Sequence, residues 1–249
     1  SGLLTLSGHT GNILNWQVST NNGGLWTNIS NTNATYTSGS LNTPGTYWYR
    51  AQVQSPGCII ENSNHTVVIV DSATVGGTIN GSTSPICIGS STGNLSLTGY
   101  TGSILRWEKR VGGAGPWTQI INTTPSYNET PSTSGTWEYR ALVKSGSCSE
   151  TYSSIFSIVV VPATVGGNVS DGDSPVCYGI NTDTMNLSGH TGSIVRWEKR
   201  LGTEPWSSIT NTSTSYSEIP SSAGTWQYRA VVQNGVCPAE NSSPQTIIV

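Results

Sequence analysis

Three similar stretches of sequence decide the fold of this chain. Residues 99–107 read GYTGSILRW, residues 8–16 read GHTGNILNW, and residues 189–197 read GHTGSIVRW. The first two copies in the chain begin 91 residues apart, since 99 − 8 = 91, and the last two begin 90 residues apart, since 189 − 99 = 90. A spacing of this length matches one compact domain rather than one solenoid repeat. The pattern therefore predicts tandem homologous domains.

Two further stretches repeat in the same register. The motif Gly-Thr-aromatic-x-Tyr-Arg-Ala occurs at residues 45–51, 135–141 and 224–230. The joint sequence Ala-Thr-Val-Gly-Gly occurs at residues 73–77 and 163–167. We therefore expect three modules, at residues 1–71, 72–161 and 162–249, of which the first lacks its opening strand.

The composition excludes several classes of protein. Ser and Thr account for 70 of the 249 residues, only 9% of residues are charged, and the net charge is −3. Such a chain has too few basic residues to bind nucleic acid by neutralising phosphates. It also lacks the long apolar run of a transmembrane helix. Nine Trp and ten Tyr, with many Gly and Asn, favour β-strands joined by turns.

Alternating polar and apolar residues predict which side chains face the core. Leu105 and Trp107 should point inward and Glu108 outward, because successive side chains of a strand point to opposite faces. Trp137, Tyr139, Ala141 and Val143 share one parity and should also be buried. With about seven short strands in each module, we expect an all-β chain of tandem immunoglobulin-like β-sandwiches, three modules end to end.

The middle module resembles an immunoglobulin domain at particular positions. Trp107 stands where such domains place the core Trp of strand C, and Tyr139 where they place the tyrosine-corner residue of strand F. The usual cysteine two residues later is Ala141, opposite Leu97. The resemblance implies a sandwich whose inter-sheet disulfide is replaced by apolar packing.

The five cysteines occupy two repeated positions. Cys87 and Cys177 precede the second strand of their modules, whereas Cys58, Cys148 and Cys237 follow the Tyr-Arg-Ala strand. We expect the disulfides Cys87–Cys148 and Cys177–Cys237, each within one module, and a partner for Cys58 upstream of residue 1. Paired cysteines favour an oxidising, extracellular location.

The chain offers few residues for catalysis. It contains three His and 13 acidic residues, and the sequence has no nucleophile elbow or phosphate-binding loop. His9 and His190 lie at equivalent turns where the middle copy has Tyr100, and His65 has no matching acid. Glu108 and Arg140 are expected to form an exposed pair across strands. We therefore expect no catalytic residues, cofactor-binding residues or bound metal.

Two features of the sequence could form binding sites but also have structural explanations. Asp171 and Asp173 flank Gly172 and could contribute to a calcium site, but the matching stretch at residues 80–82 has no acid. Trp48 has outward parity and could contact a glycan, yet its copies are Glu138 and Gln227. Neither feature repeats, so both are weaker than the structural interpretation.

The complete repeat unit is similar to a known type of surface module. It reads Cys-x-Gly, Leu-x-Leu-x-Gly-x-Thr-Gly-Ser-Ile, Arg-Trp-Glu, Trp-x-x-Ile, Tyr-Arg-Ala-x-Val and Gly-x-Cys, with Met185 replacing the first Leu in the third copy. This resembles the immunoglobulin-like tandem repeats of large Bacteroidota cell-surface proteins, including adhesins of gliding motility. The resemblance implies export by the type IX system and a role at the cell surface.

The same resemblance implies a modification. Bacteria of this group attach O-linked glycans to Ser or Thr after Asp when a small or apolar residue follows. Asp71-Ser72-Ala73 and Asp183-Thr184-Met185 match that motif, so Ser72 and Thr184 are candidate O-glycosylation sites.

The expected function is mechanical rather than enzymatic. The chain should be a stalk or shaft segment of a large secreted adhesin or fibre, in contact with neighbouring modules of the same chain and with surface glycans or other cells as further partners. Two alternatives stay open: carbohydrate-binding accessory modules of a secreted enzyme, and a subunit of a self-assembling extracellular filament.

Overall fold

Strands provide the regular secondary structure of this chain. The computed structural model describes residues 2–81 and 83–249, and within these ranges it contains 24 strands and no helix. The described residues accordingly include no helix that is long and apolar enough to span a membrane. The chain forms two compact units: Ser1–Thr78 with Gly99–Arg106 and Ala141–Ser153, and Ile79–Thr98 with Trp107–Arg140 and Ser154–Val249. The prediction of an all-β chain is confirmed.

The first repeat contains a two-stranded and a five-stranded sheet. Its strands are β1 (Leu3–Thr5), β2 (Asn12–Ser19), β3 (Thr27–Ile29), β4 (Thr35–Thr37), β5 (Gly45–Gln54), β6 (Glu61–Asn62) and β7 (Thr66–Val70). Strand β1 pairs with β4, and the larger sheet has the order β3-β2-β5-β6, with β7 paired to the first half of β5. Ile13, Trp16 and Ala51 of the larger sheet pack against Leu4 and Tyr36 of the smaller one.

The second repeat has the same arrangement with additional strands at its start. Its strands are β8 (Thr78–Asn80), β9 (Ile86–Cys87), β10 (Leu95–Thr98), β11 (Ser103–Val111), β12 (Thr118–Ile120), β13 (Ser126–Tyr127), β14 (Gly135–Lys144), β15 (Thr151–Tyr152) and β16 (Phe156–Val161). The small sheet has the order β13-β10-β8, and the large one β12-β11-β14-β16-β9, with β15 also paired to β14. Strand β9 joins β16 in parallel, which places Cys87 beside Val161.

The third repeat again contains two sheets. Its strands are β17 (Asn168–Asp171), β18 (Met185–Ser188), β19 (Ser193–Leu201), β20 (Ser207–Ile209), β21 (Ser215–Tyr216), β22 (Thr225–Gln233), β23 (Glu240–Asn241) and β24 (Gln245–Ile248). The small sheet β17-β18-β21 contributes Val169, Met185 and Leu187 to a core that it shares with Trp197 and Tyr228 of the large sheet. This is a β-sandwich with the strand order of immunoglobulin-like domains. Strands β17, β18 and β21 take the places of strands A, B and E, and they oppose β19, β22 and β24, which take the places of C, F and G.

Most of the predicted core positions are buried. Trp107, Trp137, Tyr139, Ala141 and Val143 are all nearly inaccessible to solvent. Burial of large aromatic side chains removes much apolar surface from water and dominates the stability of such cores. The four β14 side chains of inward parity, from Trp137 to Val143, are therefore buried as predicted.

The prediction that Leu105 faces the core is wrong. Leu105 is 38% exposed, whereas its neighbour Ile104 is only 6% exposed. The reason is a β-bulge, visible as a register shift between Ile13 and Asn15 in the first repeat and between Ile194 and Arg196 in the third. One extra residue on the bulged strand reverses the alternation, so Ile104 and Trp107 both point inward although they are three positions apart.

The outward-facing ion pair is formed but it is not exposed. Arg140 donates from Nε to Glu108 Oε2 over 2.8 Å, and the Glu108 residue is only 3% exposed. The guanidinium lies 4.0 Å from the ring centroid of Trp117, which covers the pair from outside. The third repeat has the same contacts among Arg229, Glu198 and Trp206. A cation–π contact of this kind stabilises by about 0.5–2 kcal/mol.

The bulge predicts unequal losses of stability when two neighbouring isomeric side chains are truncated. Replacement of Ile104→Ala should lower the free energy of unfolding by about 2–5 kcal/mol, because it opens a cavity in the core. Replacement of Leu105→Ala should cost less than about 1 kcal/mol. Urea denaturation of the two variants measures both values, and a larger loss for Leu105→Ala would contradict the bulged register.

Candidate functional site: the joints between repeats

The two copies of the joint sequence are bound in the same way. Backbone hydrogen bonds join Val75 to Thr101 in both directions, at 3.3 and 3.0 Å, and they join Val165 to Thr191 at 3.2 and 2.9 Å. Each joint strand is therefore fixed to the turn of the Gly-x-Thr-Gly motif in the repeat that follows it. The repeated turn that identified the modules in the sequence has this structural role.

Threonine side chains hold the joints to a second loop. The Thr74 hydroxyl accepts a hydrogen bond from the Ser145 backbone N–H, and the Thr164 hydroxyl accepts one from the Asn234 N–H, both over 3.0 Å. These residues begin the β14–β15 loop and the β22–β23 loop, which follow the long strand of each repeat. Two separated contacts prevent the joint from rotating freely about either one.

A glycine in each joint lies against the backbone of its repeat. A Cβ atom at Gly76 would lie 2.0 Å from the carbonyl oxygen of Tyr152, and one at Gly166 would lie 2.1 Å from that of Asn241. Real Cβ atoms do not approach backbone oxygen this closely. These positions of the Ala-Thr-Val-Gly-Gly sequence therefore require glycine so that the chain can pack closely.

One disulfide crosses the joint between the second and third repeats. Cys87 and Cys237 are bonded, with 4.9 Å between their Cα atoms. Cys87 lies beside Val161, the last residue of β16. Cys237 Sγ is 3.3 Å from the carbonyl oxygen of Pro162, the next residue in the chain. The cystine thus links the end of one repeat to a loop of the next.

This bond corrects the predicted pairings Cys87–Cys148 and Cys177–Cys237. Val176 donates its N–H to the Ile248 carbonyl, and Ile248 pairs with Thr225 at the start of β22, whereas Cys237 follows the other end of that strand. A strand of this length spans roughly 26 Å, and a cystine tolerates about 7 Å between Cα atoms. In the second repeat Cys87 is bound to Cys237, and Cys148 follows the last residue of β14.

Three cysteines of the described chain form no disulfide. Cys58 and Cys177 are exposed, and Cys148 is half-buried. Cys148 Sγ lies 3.4 Å from the Ser72 carbonyl oxygen, at the first joint. The expectation that Cys58 has a partner upstream stays a prediction.

Both candidate glycosylation residues are exposed, Ser72 in the first joint and Thr184 before β18. Next to Ser72, the Asp71 carboxylate accepts hydrogen bonds from the Ser147 N–H and hydroxyl. These bonds lower the pKa of Asp71 below its ordinary value. Glycosylation at Ser72 and Thr184 stays a prediction.

The other polar residues singled out in the sequence do not converge. The Asp171 carboxylate accepts a hydrogen bond from Asn186 Nδ2 over 3.0 Å. Within residues 2–81 and 83–249, no three His, Cys, Asp or Glu side chains are grouped as metal ligands would be. His65 stacks on Trp48, with 4.1 Å between ring centroids.

A half-buried carboxylate cluster was not predicted from the sequence. The Glu218 carboxylate accepts hydrogen bonds from Tyr216, Tyr228 and Lys199, over 2.6, 2.9 and 2.6 Å. In the second repeat Lys109 forms the equivalent ion pair with Glu129. The sequence signal is Tyr-x-Glu, at residues 127–129 and 216–218. Three donors surround this carboxylate, which fits a structural role.

The surroundings of these carboxylates raise the pKa values of the neighbouring tyrosines. Burial, followed by the charge of Glu129, raises the pKa of Tyr127 to about 12. Burial and the contact with Glu218 also raise the pKa of Tyr216 and Tyr228 above the ordinary value. These hydroxyls are therefore neutral across the physiological range.

Comparison with known proteins identifies the repeat unit. Residues 1–72, 75–162 and 165–249 each match the model of a family described as Domain of unknown function (DUF8696). No curated protein matches the chain. Among solved structures, the FN1–FN3 domains of chicken CNTN1 show similarity with a TM-score of 0.37 and 10% identity, over 96% of this chain and 89% of that chain.

The close approach at the joints gives a prediction. Gly166→Ala should destabilise the protein by about 1–3 kcal/mol, because the new methyl group clashes with a backbone oxygen. Gly39→Ala is the matched control, since a Cβ at Gly39 meets nothing within 4 Å. Thermal unfolding compares the two variants. Equal melting temperatures would show that the joint does not pack as described.

The tyrosine cluster predicts alkaline instability. A neutral group with a raised native pKa contributes stability that is complete below its unfolded pKa of about 10. That contribution should be lost as the pH rises through about 12. Between these values, tyrosinate absorbance of the native chain should lag behind that of the urea-unfolded chain. Coincident titration curves would contradict the burial of these hydroxyls.

Proposed function

Because the chain belongs to the DUF8696 family and carries three copies of its domain, we propose that it is a non-enzymatic, load-bearing segment of an extracellular protein. More specifically, it serves as a stalk or shaft of a large secreted surface adhesin or fibre. The observation that carries this proposal is the Cys87–Cys237 cystine across a joint. A covalent bond between repeats resists forces that would separate them.

The second joint supports a mechanical role because its chain is bound again directly after the last strand of the second repeat. Strand β16 ends at Val161, and the carbonyl of the next residue, Pro162, accepts a hydrogen bond from Asn234 Nδ2 over 2.8 Å. A flexible linker behaves as a random coil, and residues held by hydrogen bonds to a neighbouring repeat cannot do so. A proline at this position restricts the backbone further.

The cystine also supports an extracellular location. Disulfides persist in oxidising compartments and are rare in the cytosol. The adhesin assignment rests on the motif resemblance to surface proteins of Bacteroidota, and the O-glycosylation sites Ser72 and Thr184 belong to the same proposal. Export by the type IX system follows from that resemblance as well.

A carbohydrate-binding role has less support. A sugar-binding platform presents free aromatic faces, but the ring of Trp48 is stacked on His65 at an angle of 4°. Trp117 and Trp206 are occupied by arginine guanidinium groups at 4.0 Å. The tryptophans of the outer sheet faces are thus committed to contacts within their own repeat.

The load path predicts how far the chain extends under force. When the ends are pulled, tension passes from Cys87 directly to Cys237, so the loop between them cannot unravel. The two cysteines are 150 residues apart. At about 3.4 Å per residue the oxidised chain should therefore reach a contour length about 500 Å shorter than the reduced chain.

Single-molecule force spectroscopy measures this difference directly. The matched control is Cys237→Ser, which should extend fully with or without reductant. Replacement of the free cysteine, Cys58→Ser, should leave the shortened length of the oxidised chain unchanged. If the oxidised wild-type chain extends as far as the reduced one, load does not pass through the cystine, and the mechanical proposal fails.

A further inference from the structure

The cysteines of the loops after the long strands hold equivalent positions. The backbone N–H groups of Cys58, Cys148 and Cys237 donate to Ser55, Ser145 and Asn234, at 3.0, 2.9 and 2.9 Å. In addition, Gln54 Nε2 donates to the Cys58 carbonyl and Gln233 Nε2 to that of Cys237. These shared turns present the three thiols in one local geometry, although only Cys237 is bonded.

Cys148 also has the surroundings of a bonded cysteine. Its sulfur lies 3.4 Å from the carbonyl of Ser72, as that of Cys237 lies 3.3 Å from the carbonyl of Pro162. The preceding residues are held by Thr74 and Thr164 in the same way, over 3.0 Å. The contacts around Cys148 at the first joint are therefore the same as those around Cys237 at the second joint.

Cys177 holds the position in the third repeat that Cys87 holds in the second. Ile88 donates its N–H to the carbonyl of Val161, which fixes Cys87 at the end of its repeat. Val176 donates its N–H to the carbonyl of Ile248, which fixes Cys177 at the end of the third repeat. Cys177 is exposed there.

From this symmetry we propose a pairing rule for tandem arrays of this domain. The early cysteine of each repeat, which is the one equivalent to Cys87, bonds to the loop cysteine of the next repeat, which is the one equivalent to Cys237. Cys177 is a half-site for the loop cysteine of a following copy, and Cys58 and Cys148 are half-sites for early cysteines of preceding copies. The partner is a second copy of the same repeat. The rule goes beyond the proposed function, since it holds whether or not the array bears load.

The bond forms by ordinary thiol–disulfide exchange. One cysteine thiolate attacks a small-molecule disulfide such as oxidised glutathione and releases one glutathione thiolate. The second cysteine thiolate then attacks the mixed disulfide and releases another. Two cysteine thiols are oxidised to one cystine, the glutathione disulfide is reduced to two thiols, and the two cysteine protons pass to the released thiolates.

An internal duplication tests the rule with native joint sequences. Residues 1–160 are followed by residues 71–249, which doubles the second repeat within the full chain. After oxidation with glutathione disulfide, peptide mapping should find Cys87 of the first copy bonded to Cys148 of the second. Cys87 of the second copy should bond to Cys237, and the Cys148 of the first copy should be alkylated.

A second variant tests Cys177. The full chain is extended after Val249 by a copy of residues 161–249, and Cys177 should bond to Cys237 of the added copy. Replacement of that added cysteine by Ser should leave Cys177 free without affecting Cys87–Cys237. Limited proteolysis reports separately whether each added repeat is folded.

The Cys87–Cys237 bond of the same molecules is the internal control. If protease-resistant added repeats leave Cys177 or the second Cys148 alkylated while that control bond forms, the rule is wrong. A bond between an early cysteine and the loop cysteine of its own repeat would overturn it as well. These outcomes differ from a failure of the mechanical proposal, which depends on extension under force.

Discussion

The chain that leaves β16 at Val161 is bound again at the next residue, and the structure of the joint depends on this constraint. Pro162 contacts the β22–β23 loop through Asn234 and Cys237. Thr164 and Gly166 then pack against the same repeat. Because Pro162, Thr164 and Gly166 are held by the third repeat, Cys87 at the end of one repeat stays within bonding distance of Cys237 in the next. The disulfide follows from the packing of the joint.

Each repeat combines two kinds of burial. Between its sheets lies an apolar core around Trp107 or its equivalents. On the outer face of the large sheet a tryptophan covers an Arg–Glu pair in the second and third repeats and an Arg–Gln pair in the first. Glu198 shows the balance: burial opposes its ionisation, but hydrogen bonds from Arg196 and Arg229 outweigh burial and lower its pKa. Residues predicted to be solvated therefore form part of the folded interior.

Sequence reasoning succeeded where a residue's environment follows from local periodicity. It placed Trp137, Tyr139 and Ala141 in the core because residues 136–141 of strand β14 alternate between polar and apolar side chains. It misplaced Leu105 because a bulge inserts one residue, and the sequence carries no distinct signal for it. It mispaired Cys87 because repeat arithmetic identifies equivalent cysteines but does not show at which end of the sandwich each one lies; that depends on the parallel pairing of β9 with β16.

The position of the cystine within the chain has a consequence for any longer array. The loop closed by Cys87 and Cys237 contains Cys177, which is the early cysteine of the next repeat. Under the proposed pairing rule, each cystine loop therefore begins inside the previous one, and successive loops overlap. Tension that passes one cystine then enters a segment that lies inside the loop of the next cystine. Overlap of this kind limits extension along the whole array, whereas disulfides within single repeats would leave every joint outside the covalent loops.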